Sequence, residues 1–155
     1  MRLIGELRAR SSGRETSCMS AEFVDTNIFV YAHEGGAGSK HRRAVELVAR
    51  LFEEQTGAVS VQVLSEFYVT ATRKLRMKSE EAEEAIADLQ GWTIHRPGHA
   101  DVLRACLIHR RLKVSWWDAL IINSALELGC SVLWSEDLAA LQRYGTLTVR
   151  NPFSS

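Results

Sequence analysis

The chain has 155 residues, 46% hydrophobic and 25% charged, which excludes a disordered or collagenous protein and leaves enough apolar sequence for one core. Nineteen Lys and Arg balance nineteen Asp and Glu, so overall charge does not announce a nucleic-acid or membrane binder, and any charged partner must be recognised locally. Cys18, Cys106 and Cys130 are an odd set without a C-x-x-C pair, which argues against a disulfide framework and a cysteine zinc site and for a cytoplasmic location; no apolar run reaches the roughly 20 residues that span a bilayer.

Residues 1–18 scatter Arg2, Arg8, Arg10 and Arg14 among Ser, Thr and Gly. They read as a disordered N-terminal extension, with Met19 as a second possible start and residues 19–155 as a single domain. Without that extension fifteen basic residues face seventeen acidic ones, a net charge of −2.

From Ala21 the chain alternates short β-like runs with helical patterns, the rhythm of an α/β fold with a parallel sheet. Glu22 to Asp25 reads as a strand with a helix starting at Thr26-Asn27. Lys40 to Glu54 carries Ala44, Leu47, Val48 and Leu51 at helical spacing, and Gly57 breaks it. Ala58-Val59 reads as a second strand and Ser60 as a helix cap, after which Leu64, Phe67, Tyr68, Ala71 and Leu75 mark a buried stripe. Ser79 to Leu89 is an acidic, Ala-rich helix, Trp92 to His95 a strand, and His99 to Leu112 a further helix. Ser115 opens the most apolar helix, Trp116 to Leu128, stopped by Gly129. Ser131 to Trp134 reads as a strand, Glu136 to Tyr144 as a short helix, and Leu147 to Val149 as the last strand. Short strands of this kind suit a small doubly wound sheet covered on both faces.

Four carboxylates carry the chemical signal. Asp25 and Asp137 each follow an apolar strand, which places both at the carboxyl edge where open α/β sheets build sites. Taken singly, either could be a turn or cap residue. Asp118 stands three residues after Ser115 in a capping-box pattern, yet it leads into Ile122 and Ala125 on the packed side of the helix, a direction that a cap does not require. Glu66 shares a stripe with Gln62 and Arg73 and by pattern alone faces solvent. Clustered carboxylates would repel one another unless a cation is present, and hard oxygen ligands suit Mg²⁺ or Mn²⁺. The five histidines make no zinc spacing.

The segments Glu22-Phe23-Val24-Asp25-Thr26-Asn27, Ser60-Val61-Gln62-Val63-Leu64-Ser65-Glu66-Phe67, Trp116-Trp117-Asp118-Ala119-Leu120-Ile121 and Leu133-Trp134-Ser135-Glu136-Asp137-Leu138 resemble the four acidic blocks of PIN domains. The likeness is to VapC-type toxins of bacterial toxin–antitoxin pairs, spans residues 21 to 153 and includes Asn151-Pro152-Phe153. It implies a PIN-like α/β fold and a metal-dependent endoribonuclease, with Asp25, Glu66, Asp118 and Asp137 as catalytic acids and ligands of Mg²⁺ or Mn²⁺. Thr26, Asn27 and Ser135 match polar positions bordering that site. The resemblance also implies an RNA substrate, a VapB-like antitoxin and a homodimer.

Attack by water in such a site leaves 5′-phosphate and 3′-hydroxyl ends without a histidine base. An acidic pocket repels RNA, so basic residues must recruit the backbone: Arg73, Lys74, Arg76 and Lys78 form one cluster and Arg110, Arg111 and Lys113 another, although both also read as solvated helix ends. Trp116, Trp117 and Trp134 lie beside the expected ligands and could stack on bases, with core packing the better reading for at least two. Other readings are a metal-dependent phosphatase, a receiver domain and a catalytically inactive PIN-like RNA- or protein-binding module. A haloacid-dehalogenase-type phosphatase wants a second acid at Asn27, and a receiver's phosphorylated aspartate lies on a strand, unlike Glu66 in its helical run.

Overall fold

The computed structural model of the chain describes residues 20–154, so the extension expected at residues 1–18 lies outside the described residues. Five strands, β1 (Glu22–Val24), β2 (Gly57–Ser60), β3 (Thr93–His95), β4 (Val132–Trp134) and β6 (Leu147–Arg150), run parallel, and β5 (Arg143–Tyr144) joins β6 antiparallel. The sheet order is β3-β2-β1-β4-β6-β5. Register pairs Phe23 with Ala58 and Leu133, and Leu133 with Val149, which sets these side chains on one face; Val24 and Val59 belong to the other. All six are fully buried, so helices cover both faces as a mostly parallel sheet requires.

The helices among the described residues are α1 (Thr26–His33), α2 (Ser39–Glu54), α3 (Val61–Arg73), α4 (Ser79–Asp88), α5 (His99–Leu112) and α6 (Trp116–Glu127). α1 packs on α2 and α3, while α5 lies along α6, which touches β2 and β4. Ala119 and Ile121 to Ala125 are all buried, because α6 is apolar nearly all round and runs between the sheet and α5. α6 leads into β4, so its N-terminus lies at the carboxyl edge of the parallel strands.

Three expectations are corrected. Gly57 begins β2 instead of separating it from the preceding helix: a Cβ there would stand 2.3 Å from the Trp92 ring, and only glycine admits that approach. Glu136 to Tyr144 is not a helix. The Ser135 hydroxyl accepts from the backbone N–H of Asp137 (3.2 Å) and Leu138 (3.4 Å), and the Leu141 N–H, at a positive φ of 65°, bonds Val149 O, drawing the segment into a turn that feeds β5. On α3 the buried stripe is Val63, Phe67 and Ala71; Tyr68 is exposed and Leu75 lies past the helix end.

Candidate active site

Asp25 ends β1 and caps α1. Its extended backbone lets one carboxylate oxygen accept from the Thr26 N–H at 2.6 Å, and the other accepts from the fully buried Ser135 hydroxyl at 2.7 Å. Only 5% of its surface is exposed. Burial is the largest influence on its carboxyl and pushes it up; the bonds from Ser135 and Thr26 pull it down, and the charges of Asp137 and Glu66 push it up again, so it titrates at about 6.

The first turn of α1 also holds the other two acids. The Thr26 hydroxyl donates to Glu66 at 2.8 Å, and Gln62, one turn before Glu66 on α3, donates to its second oxygen at 2.8 Å. Asn27 donates to Asp137. The three residues expected to border the site, Thr26, Asn27 and Ser135, thus each hold one acid or its backbone. Glu66 is half-buried rather than solvent-facing, because a helix face read from pattern alone takes no account of what α1 brings against it.

Asp118 sits in the first turn of α6, where its N–H donates to the Ser115 hydroxyl (3.1 Å) and that hydroxyl donates to its carboxylate (2.7 Å). It is half-buried, and its charge, after burial, helps to push up the Tyr144 hydroxyl. No hydrogen bond joins it to the other three acids among the described residues. The structure therefore links Asp25, Glu66 and Asp137 only through the neighbouring Thr26, Asn27 and Ser135, and brings Asp118 to the same sheet edge through the direction of α6.

Two supporting groups were given no role by sequence reasoning. Gln62 was legible as an i, i+4 partner of Glu66. Glu136, beside Asp137, is held by Lys40 and Tyr31; burial pushes its carboxyl up, but these hydrogen bonds outweigh that and hold it below the usual range. Lys40 is 96 residues away in sequence, so no local pattern marks it.

Among the described residues no three His, Cys, Asp or Glu side chains converge tightly enough to form a ready-made metal group. The donor chemistry nonetheless fits a hard divalent cation: the donors are carboxylate oxygens, and the charges of Asp137 and Glu66 add to burial in pushing Asp25 up. Arg73, Lys74, Arg110, Arg111 and Lys113 are all exposed. Trp116 is half-buried edge-on to His109, Trp134 is half-buried with its N–H on Glu22, and Trp117 is exposed. No helix of the described residues is long and apolar enough to cross a membrane.

The sequence matches the PIN domain family over residues 23–146. No curated protein matches it by sequence. Among solved structures the chain is similar to one from a toxin–antitoxin complex of Klebsiella pneumoniae (18% identity, TM-score 0.66, covering 87% of this chain and 100% of that one). It is also similar to Mycobacterium tuberculosis VapC20, described as a sarcin-ricin loop cleaving toxin (19% identity, TM-score 0.62, covering 76% and 92%). A third similar structure is VapBC2 of Rickettsia felis bound to a DNA fragment from its promoter (20% identity, TM-score 0.59, covering 84% and 98%). At these identities the likeness establishes the fold.

Proposed function

Because the chain belongs to the PIN-domain family, we propose that it is a metal-dependent endoribonuclease and the toxin of a VapBC-type toxin–antitoxin pair. The observation that carries this reading is that Asp25, Glu66 and Asp137, from three separate elements, are gathered at one carboxyl edge of the sheet by Thr26, Asn27 and Ser135. Structural neighbours that include toxin–antitoxin complexes support an antitoxin partner. A homodimer is part of the same reading.

Asp25, Glu66, Asp118 and Asp137 would hold Mg²⁺ or Mn²⁺, which when bound supplies a Lewis acid and a water of lowered pKa. The chain's other residues prepare the ligands. Ser135 holds one oxygen of Asp25, Thr26 and Gln62 fix both oxygens of Glu66, and Asn27 steadies Asp137. The exposed Arg73, Lys74, Arg110, Arg111 and Lys113 attract the RNA backbone that the acids repel.

The test is cleavage of a panel of RNAs by the purified protein with Mg²⁺, with Mn²⁺ and with EDTA, alongside a small phosphate monoester. Metal-dependent products with 5′-phosphate and 3′-hydroxyl ends are expected, with the monoester untouched. RNA binding without cleavage under any metal would leave a binding module, and monoester hydrolysis would make it a phosphatase.

A further inference from the structure

We propose that Trp117 is a stacking platform for an unpaired base of the RNA substrate, next to the acidic site; this rests on the ribonuclease reading above. The four tryptophans have different surroundings. Trp92 is buried in the core, Trp116 packs edge-on against His109, and Trp134 donates to Glu22 at 2.6 Å with the Arg50 and Arg150 guanidinium groups 5.8 and 6.0 Å from its ring. Trp117 is 60% exposed. It stands in the first turn of a helix whose next exposed residue is Leu126. An indole that could bury a large apolar area is thus left in water at the sheet edge where the acids gather, one residue before Asp118.

The α5 segment before Trp117 also exposes Val102, Leu103, Leu107 and Leu112, and it is the run of cations nearest the ring that commits the proposal to nucleic acid over protein as the occupant. Arg110, Arg111 and Lys113 precede Trp117 by no more than seven residues, all are exposed, and none pairs with an acid among the described residues. Between Asp101 and Asp118 the sequence contains no acidic residue. A cationic chain segment leading to an exposed aromatic ring is the combination that holds single strands, with the cations on phosphates and the ring on a base. Duplex bases are already stacked and offer the ring no free face, so the site selects unpaired RNA.

The test measures binding apart from cleavage. In an Asp25→Asn background, a fluorescent single-stranded oligoribonucleotide, its duplex form and a version with abasic positions are titrated by anisotropy across a salt series. Trp117→Ala should weaken single-strand binding by about 5- to 100-fold, Trp117→Phe should restore most of it, and duplex or abasic binding should barely change. The salt slope should stay constant for Trp117→Ala and fall for Lys113→Ala, because only the latter removes a phosphate contact. With wild-type Asp25 restored, the loss should fall on KM more than on kcat. Equal losses on all three probes, or none, would overturn the assignment, as would a Trp117→Ala protein that changes its oligomeric state in sedimentation while binding RNA normally. If the enzyme cleaves RNA but ignores Trp117, only the platform fails; if the parent neither binds nor cleaves RNA, the ribonuclease reading fails with it.

Discussion

Asp25 and Asp101 are both buried carboxylates at the start of a helix that follows a parallel strand, and their surroundings move them in opposite directions. Asp101 accepts from the Gly98 N–H (2.7 Å), Asn123 (3.0 Å) and Arg104 (2.9 Å), with His95 at 3.6 Å; these donors, led by Gly98, outweigh desolvation and hold it at about 2. Asp25 also has two good donors, but burial outweighs them, its charged neighbours are other acids, and it rises to about 6. The Asp101 cluster, which includes His95 on Ser124 at 2.9 Å, is a finished lock that ties β3 and α5 to α6. The Asp25 cluster instead sets Asp25 beside the like charges of Asp137 and Glu66, an arrangement that suits the metal site proposed above.

Substitution should separate the two most sharply in activity. Asp25→Asn should lower RNA cleavage by more than about 100-fold, beyond the usual effect of a residue that only supports a ligand, while Asp101→Asn should cleave at the wild-type rate per folded molecule. Single-turnover assays on protein checked by circular dichroism would decide; an active Asp25→Asn would remove Asp25 from the site.

The pH dependence of stability should differ in sign. Without metal, the folded state binds the Asp25 proton more tightly than the unfolded chain does, so this residue makes stability fall as pH rises from about 4 to 6, by up to about 3 kcal/mol. Asp101 acts oppositely: its contribution is present above pH 4 and is lost as pH falls toward 2. Urea melts across this range, compared with Asp25→Asn, would show the first as a flattened curve. Added Mn²⁺ should stabilise wild type more at pH 7 than at pH 5, since protons compete for the ligands.

At neutral pH, Asp101→Asn should cost about 2 kcal/mol, because Arg104 and the Gly98 N–H lose a charged acceptor. Asp25→Asn should cost nothing or stabilise, since an amide still caps α1 and the repulsion from Asp137 and Glu66 disappears. Denaturant midpoints at pH 7.5 in EDTA measure both, and a large loss for Asp25→Asn would show that its charge is structural. Ser135→Ala is a smaller change, about 1 kcal/mol through the lost caps on Asp137 and Leu138, and it should move the Asp25 titration above 6 in a carboxyl NMR experiment. Deleting residues 1–18 should leave melting temperature and cleavage unchanged, because both clusters are built from residues after them.

Much of this protein was written in local pattern. Helix starts, composition and apolar spacing together marked all six helices described, the five parallel strands needed only a residue or so of adjustment at each end, and acidic residues after β1 and β4 pointed to one sheet edge. Those features follow from interactions within a few residues, as when Ser60 and Ser115 cap the helices they precede. Glu66 shows the limit of local pattern: its helical stripe alone assigns it to solvent, the family resemblance assigns it to the site, and contact with Thr26, 40 positions earlier, is what brings it beside Asp25. The same holds for the turn after Ser135, which helix propensity favours as a helix and which pairing with β6 opens, and for Gly57, whose role depends on the Trp92 ring. The choice among tryptophans was also tertiary. Trp116 and Trp117 are neighbours in sequence, and rotation of about 100° between successive helical residues turns one against His109 and leaves the other in water. Sequence determined which elements form and which acids stand at their ends; the packing of distant segments decided which of those charges lie near one another, and so which carboxylate is balanced and which is not.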